Sequence, residues 1–177
     1  YYIDAQKHKL RGPAHSELPV SNYIDKACAK VYQAYEDAKR QANAFDFSDL
    51  IYYTVRLLQK NEPVLNEYRY RGRYILVDEF QDANRAQFEL LRRLQGPNTY
   101  VCVVGDDDQS IYRFRGADIE AYLRASAGAD THFDLTVNRR SDSELVEVLN
   151  ELCQGATFGD ARIRYVEADR SPDAPPN

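Results

Sequence analysis

A parallel α/β fold is predicted from three features of the sequence. Tyr74, Ile75, Leu76 and Val77 form an unbroken apolar run that stops at Asp78 and Glu79. Tyr100 to Val104 form a second such run, which stops at Gly105. Between them Ala86, Leu90, Leu91 and Leu94 recur at helical spacing, and Gly96 and Pro97 close that helix. Apolar runs without alternation belong to strands buried on both faces, and strand-helix-strand order gives a parallel sheet covered by helices.

The remaining elements follow in order. Residues Tyr1 to Pro19 hold Gly12, Pro13 and Pro19 with little periodicity and read as an irregular segment. From Asn22 to Arg40 the apolar positions Ile24, Cys28, Val31 and Tyr35 mark one face of a packing helix. Asp46 followed by Asp49 opens another, with Leu50, Thr54, Leu57 and Leu58 as its stripe up to a break at Asn61 to Pro63. Pro63 suits the first turn of a short helix reaching Tyr68. A third strand is expected around Phe133 to Val137. Ser141 with Glu144 then forms a capping box for a helix whose Leu145, Val148, Leu149 and Leu152 share a face. The segment 169–177, with three prolines, reads as linker or disordered tail.

Composition excludes several function classes. Hydrophobic residues at 44% and charged residues at 29% fit a globular protein, and no apolar run approaches the roughly 18 residues of a membrane helix. Cys28, Cys102 and Cys153 are far apart and odd in number, so neither a disulfide framework nor a zinc site is expected. They read as core residues of a protein in a reducing, cytoplasmic compartment. His8, His15 and His132 have no metal-site spacing. A net charge of -5 excludes nucleic-acid binding through overall basicity, so any such site must be local. The chain begins at Tyr1 and contains no methionine, and is expected to be an internal piece of a longer protein.

The chemistry begins at Asp78 and Glu79. In open α/β sheets ligands bind at the carboxyl ends of the strands, where this pair falls. Phosphoryl transfer needs one carboxylate to hold Mg2+ and another group to orient and deprotonate water. Asp78 suits the first role and Glu79 the second. A strand that merely ends in two acids at the solvent boundary has the same pattern, so these residues alone leave both readings open.

Their neighbours add to this. The stretch Val77-Asp78-Glu79-Phe80-Gln81-Asp82 precedes Val103-Val104-Gly105-Asp106-Asp107-Asp108-Gln109-Ser110-Ile111-Tyr112-Arg113-Phe114-Arg115-Gly116-Ala117. Together they resemble motifs II and III of the UvrD/Rep/PcrA family of superfamily 1 DNA helicases. Asp46-Phe47-Ser48-Asp49-Leu50 is similar to the family's DFDDL segment, and Asn138-Arg139-Arg140-Ser141 to its motif IV, usually NYRS. The resemblance implies a RecA-like P-loop NTPase motor domain, incomplete here, that uses ATP and Mg2+ and moves on single-stranded DNA, 3' to 5' as the family does. On it, Asp78 and Glu79 meet the metal and Glu79 is the catalytic base. Gln81 links the nucleotide site to DNA-contacting parts, and Gln109 senses the γ-phosphate. Arg140 is an arginine finger, and Arg139 stands where the family's adenine-stacking tyrosine does. Tyr112 and Phe114 face single-stranded DNA, with Arg113 beside them.

The resemblance divides the chain into 1–42, the end of a helical 1B-type subdomain; 43–136, the second half of motor domain 1A; 137–168, the start of domain 2A; and the tail 169–177. One departure is large. No GxxxxGK loop followed by Ser or Thr occurs, so the chain by itself lacks a triphosphate cradle and is expected to be inactive alone. A RecB- or AddA-like helicase-nuclease is the near alternative. A non-catalytic remnant that binds DNA or a repair partner is the alternative from another class.

Overall fold

The computed structural model describes residues 1–14, 17–19, 21–106, 109, 118–157 and 162–171. Among them are seven α-helices, two short parallel sheets and a 3-10 turn. In the first sheet β1 (Tyr74–Val77) pairs with β2 (Tyr100–Val103), Tyr74 opposite Tyr100 and Val77 opposite Val103. Helix α5 (Arg85–Leu94) makes the crossover. The parallel α/β expectation therefore holds for the two strands that carry it.

Local sequence explains most helix starts. Asn22 caps α2 (Tyr23–Gln41) by accepting from the Asp25 N–H at 2.8 Å. Asp46 and Asp49 form a reciprocal capping box at α3 (Phe47–Lys60). Pro63 lies in the first turn of α4 (Glu62–Arg71), and Asn84 and Gln87 form the box that opens α5. Each cap satisfies backbone donors that have no partner inside the helix.

Several expectations are corrected. The irregular opening segment contains α1 (Tyr2–His8), too short for periodicity to reveal. Helix α6 (Ile119–Ala127) was not anticipated. The third strand is only Val137–Asn138 (β3), and it does not join the first sheet. It pairs with β4 (Asp169–Arg170), inside the segment read as linker, while Phe133 and Leu135 lie exposed. The last helix, α7 (Ser143–Cys153), is capped by Asp142 rather than Ser141: Asp142 Oδ1 accepts the Leu145 N–H, and the Ser141 N–H belongs to the preceding turn, where it donates with that of Arg140 to Asn138 Oδ1. Cys102 is exposed and Cys28 and Cys153 are half-buried, so the three are not core residues.

The largest correction concerns which helix faces are buried. On α2 the buried residues are Ala29, Tyr32 and Glu36, whereas Ile24 is 70% and Val31 62% exposed. On α3 they are Asp49, Tyr52, Val55 and Leu58, and Leu50 and Leu57 stand in the open. On α7 only Val146 is buried. Strands β1 and β2 half-bury one face, and Tyr74, Leu76, Tyr100 and Cys102 occupy a bare one. The stripes are amphipathic as read, but nothing among the described residues covers them.

Ile3 of α1 packs against Leu18 and against Ala29 and Tyr32 of α2, and a network of charges joins α1, α2 and α3. Lys7, fully buried on α1, sends its ammonium to Asp46 and Asp49 at 2.6 Å each and to Glu36 at 3.0 Å. Lys39 reaches the same three carboxylates, with Glu36 at 2.7 Å, Asp46 at 3.2 Å and a short contact to Asp49. Tyr53 donates to Glu36 and Tyr35 to Asp46, while both ammonium groups lie over the Tyr35 ring. The three carboxylates are close enough to hold a cation, and the two lysines fill that role.

Burial pushes the Asp46 carboxyl up, but bonds from Lys7, the Asp49 backbone, Lys39 and Tyr35 outweigh it and hold the group well below the usual carboxylate range. Burial pushes Lys39 down, but its bonds to Asp49, Glu36 and Asp46 hold it above the usual lysine range. The Asp46 contribution is present above the ordinary carboxylate pKa of about 4 and is lost as pH falls through its lower folded value. The Lys39 contribution is complete below about 10.5 and is lost only above that.

Two outcomes follow for thermal unfolding. Lys7→Met should destabilise by about 3–5 kcal/mol, since it leaves the buried carboxylates of Glu36 and Asp49 and the half-buried one of Asp46 facing one cation; an unchanged melting temperature would show that the network is incidental. The melting temperature should hold between about pH 5 and 8 and fall below about pH 4, and Asp46→Asn should flatten that acid limb while lowering stability at neutral pH.

Candidate functional site

The site forms where β1 and β2 end. After Val77 the chain turns sharply: Glu79 adopts φ 52 and ψ 40, in the left-handed region, and a 3-10 turn follows over Phe80–Asp82. A non-glycine residue there costs about 1–2 kcal/mol, so surrounding contacts must hold it. The Phe80 N–H extends the ladder to the Val104 carbonyl at 2.9 Å, and the Val104 N–H reaches the Val77 carbonyl at 2.8 Å. Phe80, only 2% exposed, anchors the turn against Phe88 of α5 and Tyr122 of α6. The anchored turn leaves Asp78 and Glu79 exposed at the carboxyl end of the strand.

Gln81 is the centre of the arrangement and is also only 2% exposed. Its Nε2 donates to Glu79 Oε2 at 2.6 Å, and its Oε1 accepts the Asp106 N–H at 3.1 Å. One amide thus ties the acidic end of β1 to the chain leaving β2. Gln109 Nε2 donates to Asp106 Oδ2 at 2.6 Å, and the Glu79 N–H donates to Asp78 Oδ1 at 3.0 Å. Asp78, Glu79, Gln81, Asp106 and Gln109 therefore form one continuous polar chain across both strand ends.

These residues suit a hard cation. Asp78 and Glu79 present carboxylate oxygens, the donor type Mg2+ takes, at an exposed strand end. Asp106, which the sequence offers only as one of three consecutive acids, is drawn into this polar chain. Its contribution includes a backbone N–H, which no side-chain pattern announces.

The other candidates fall elsewhere. Arg139 and Arg140 follow β3 of the second sheet and are exposed. Tyr112, Arg113 and Phe114 lie outside the described residues, as do Asp107 and Asp108.

Comparison with known proteins gives a consistent picture. The family model for the UvrD/REP helicase N-terminal domain matches residues 1–130. The chain is 39% identical over 157 residues to DNA helicase II of Escherichia coli, which covers 87% of this chain and 22% of that protein. It is 38% identical over 180 aligned positions to the ATP-dependent DNA helicase PcrA of Staphylococcus aureus, covering 94% of this chain and 24% of the relative. A probable DNA helicase II homolog of Mycoplasma capricolum is 32% identical over 160 residues, covering 89% of this chain and 22% of the relative. The chain thus spans less than a quarter of the length of these relatives.

The left-handed Glu79 yields a stability outcome. Glu79→Gly should be more stable than Glu79→Ala by about 1 kcal/mol, because both remove the carboxylate that the buried Gln81 amide meets and only glycine adopts this backbone without strain. Denaturant midpoints for the two variants make the comparison, and equal midpoints would argue against the strained turn.

Proposed function

This chain belongs to the UvrD/REP helicase family, and from that premise we propose that it is the segment of a longer ATP-dependent DNA helicase that binds Mg2+, activates the attacking water and couples hydrolysis to single-stranded DNA. The observation that carries the reading is the Gln81 amide, which holds Glu79 at one end and the backbone of Asp106 at the other. A strand that merely ended in two acids would have no need of a buried amide orienting one of them.

In this reading Asp78 holds Mg2+, alone or with Glu79, and the bound ion neutralises charge on the phosphoryl oxygens. Glu79 takes the proton of the attacking water. Gln109 hydrogen-bonds the γ-phosphate from the end of β2, an amide being able to serve phosphate and water alike. Arg140 acts on the transferred phosphoryl group across the cleft to a second motor domain, and Arg139 stacks on the base through its guanidinium plane. Tyr112 and Phe114 stack on bases of single-stranded DNA without reading sequence, with Arg113 near the phosphates.

The same reading makes residues 43–136 the second half of a RecA-like domain, with 1–42 from a helical subdomain before it and 137–168 opening the next motor domain. The triphosphate cradle then comes from another part of the longer protein, since no GxxxxGK loop is present. The bare faces of α2, α3, α7 and the first sheet support this division, for they are where the remainder of such a protein would pack. Translocation is 3' to 5' on this reading.

The test is ATP hydrolysis by the longer protein, with and without single-stranded DNA, beside Glu79→Gln. DNA-stimulated turnover that falls by about 10²–10⁴ in the variant is expected of a lost general base. A folded wild-type protein with no turnover would sink the motor reading and leave a remnant that binds DNA irrespective of ATP.

A further inference from the structure

The Gln81 amide can orient Glu79 only if it is itself prevented from turning. An amide has a donor end and an acceptor end, and reversal would aim the Gln81 oxygen at the Glu79 carboxylate. What fixes the orientation is the Asp106 N–H held against Oε1, so the placement of the loop after β2 decides it.

That loop is gripped from α6. Gly105 sits where Gln81 and Tyr122 meet: a Cβ there would come within 2.8 Å of Gln81 Oε1, 2.9 Å of a Tyr122 ring carbon and 3.2 Å of the Gln81 backbone nitrogen. Glycine is what allows three groups to approach so closely. The Tyr122 hydroxyl donates to the Gly105 carbonyl at 3.3 Å, and the Tyr122 ring lies 6.5 Å from that of Phe80. Helix α6 is in turn tied to the 3-10 turn, the Asp118 N–H reaching the Ala83 carbonyl at 3.0 Å. One helix therefore holds both the backbone that carries Gln81 and the loop that Gln81 reaches.

We propose that Tyr122 is a positioning residue for Glu79, acting through Gly105 and Gln81. Its ring and hydroxyl hold Gly105 so that the Asp106 N–H meets Gln81 Oε1, which turns the Gln81 amino group onto Glu79 Oε2. The carboxylate is thereby aimed before the water arrives, and a fixed base needs no reorganisation during the reaction. The inference rests on the proposed role of Glu79 as that base.

The test uses Tyr122→Phe in the longer protein, which removes the hydroxyl and keeps the ring against Phe80. In DNA-stimulated ATP hydrolysis kcat should fall about three- to tenfold, the effect of one lost hydrogen bond, with KM for ATP unchanged. In a Gln81→Ala background the same substitution should have no further effect, since a residue that acts through Gln81 has nothing left to act on. An unchanged kcat, or an equal fall in both backgrounds, overturns the proposal. Hydrogen exchange at the Asp106 N–H decides independently of activity: Tyr122→Phe should speed it severalfold, and unchanged exchange overturns the proposal as well. Absence of turnover in the wild-type protein would count against the motor reading, while the exchange result would still judge Tyr122.

Discussion

Two ammonium groups and three carboxylates, closed in among three helices, set the frame on which the rest of this structure stands. Lys7, Lys39, Glu36, Asp46 and Asp49 cannot be left partly paired, because each buried charge without its partners costs several kcal/mol. The helices must therefore meet at one register. Helix α3, whose N-terminus supplies two of the carboxylates, also packs on α5, the crossover between β1 and β2. The position of the first sheet is thus tied to a charge network in another part of the fold.

At the strand ends the organising group is again polar and buried, but it is a neutral amide. Gln81 joins two segments that sequence separates by 25 residues. It also supports a left-handed Glu79 that would otherwise relax. Strain at Glu79, a glycine with no space for a side chain at Gly105, and a buried amide between them meet where the two strands end. Such features persist where the surrounding structure over-determines them, as it does here through Phe80, Asp106 and Tyr122.

The exposed apolar stripes belong to the same description. Ile24 and Val31, Leu50 and Leu57, Leu145 and Leu152 were each legible as helix faces, and each face is bare. Periodicity reports that a helix has an apolar side, not which neighbour will cover it. The buried faces mix apolar residues, Tyr32 on α2 and Tyr52, Val55 and Leu58 on α3, with Glu36 and Asp49, which no hydrophobic pattern would select.

The sequence by itself determined the parallel strand pair, most of the helices and their caps, and the acidic strand end, because these depend on residues close together along the chain. Family membership was equally legible in the long motifs around Asp78 and Gln109. Only the tertiary structure decided that β3 would pair with the tail, that Lys7 would be sealed among carboxylates, and that the backbone of Asp106 would meet Gln81. Those outcomes depend on charge desolvation and on hydrogen bonds between distant segments, whose energies are set by the complete arrangement of neighbours and leave no periodic trace in the order of residues.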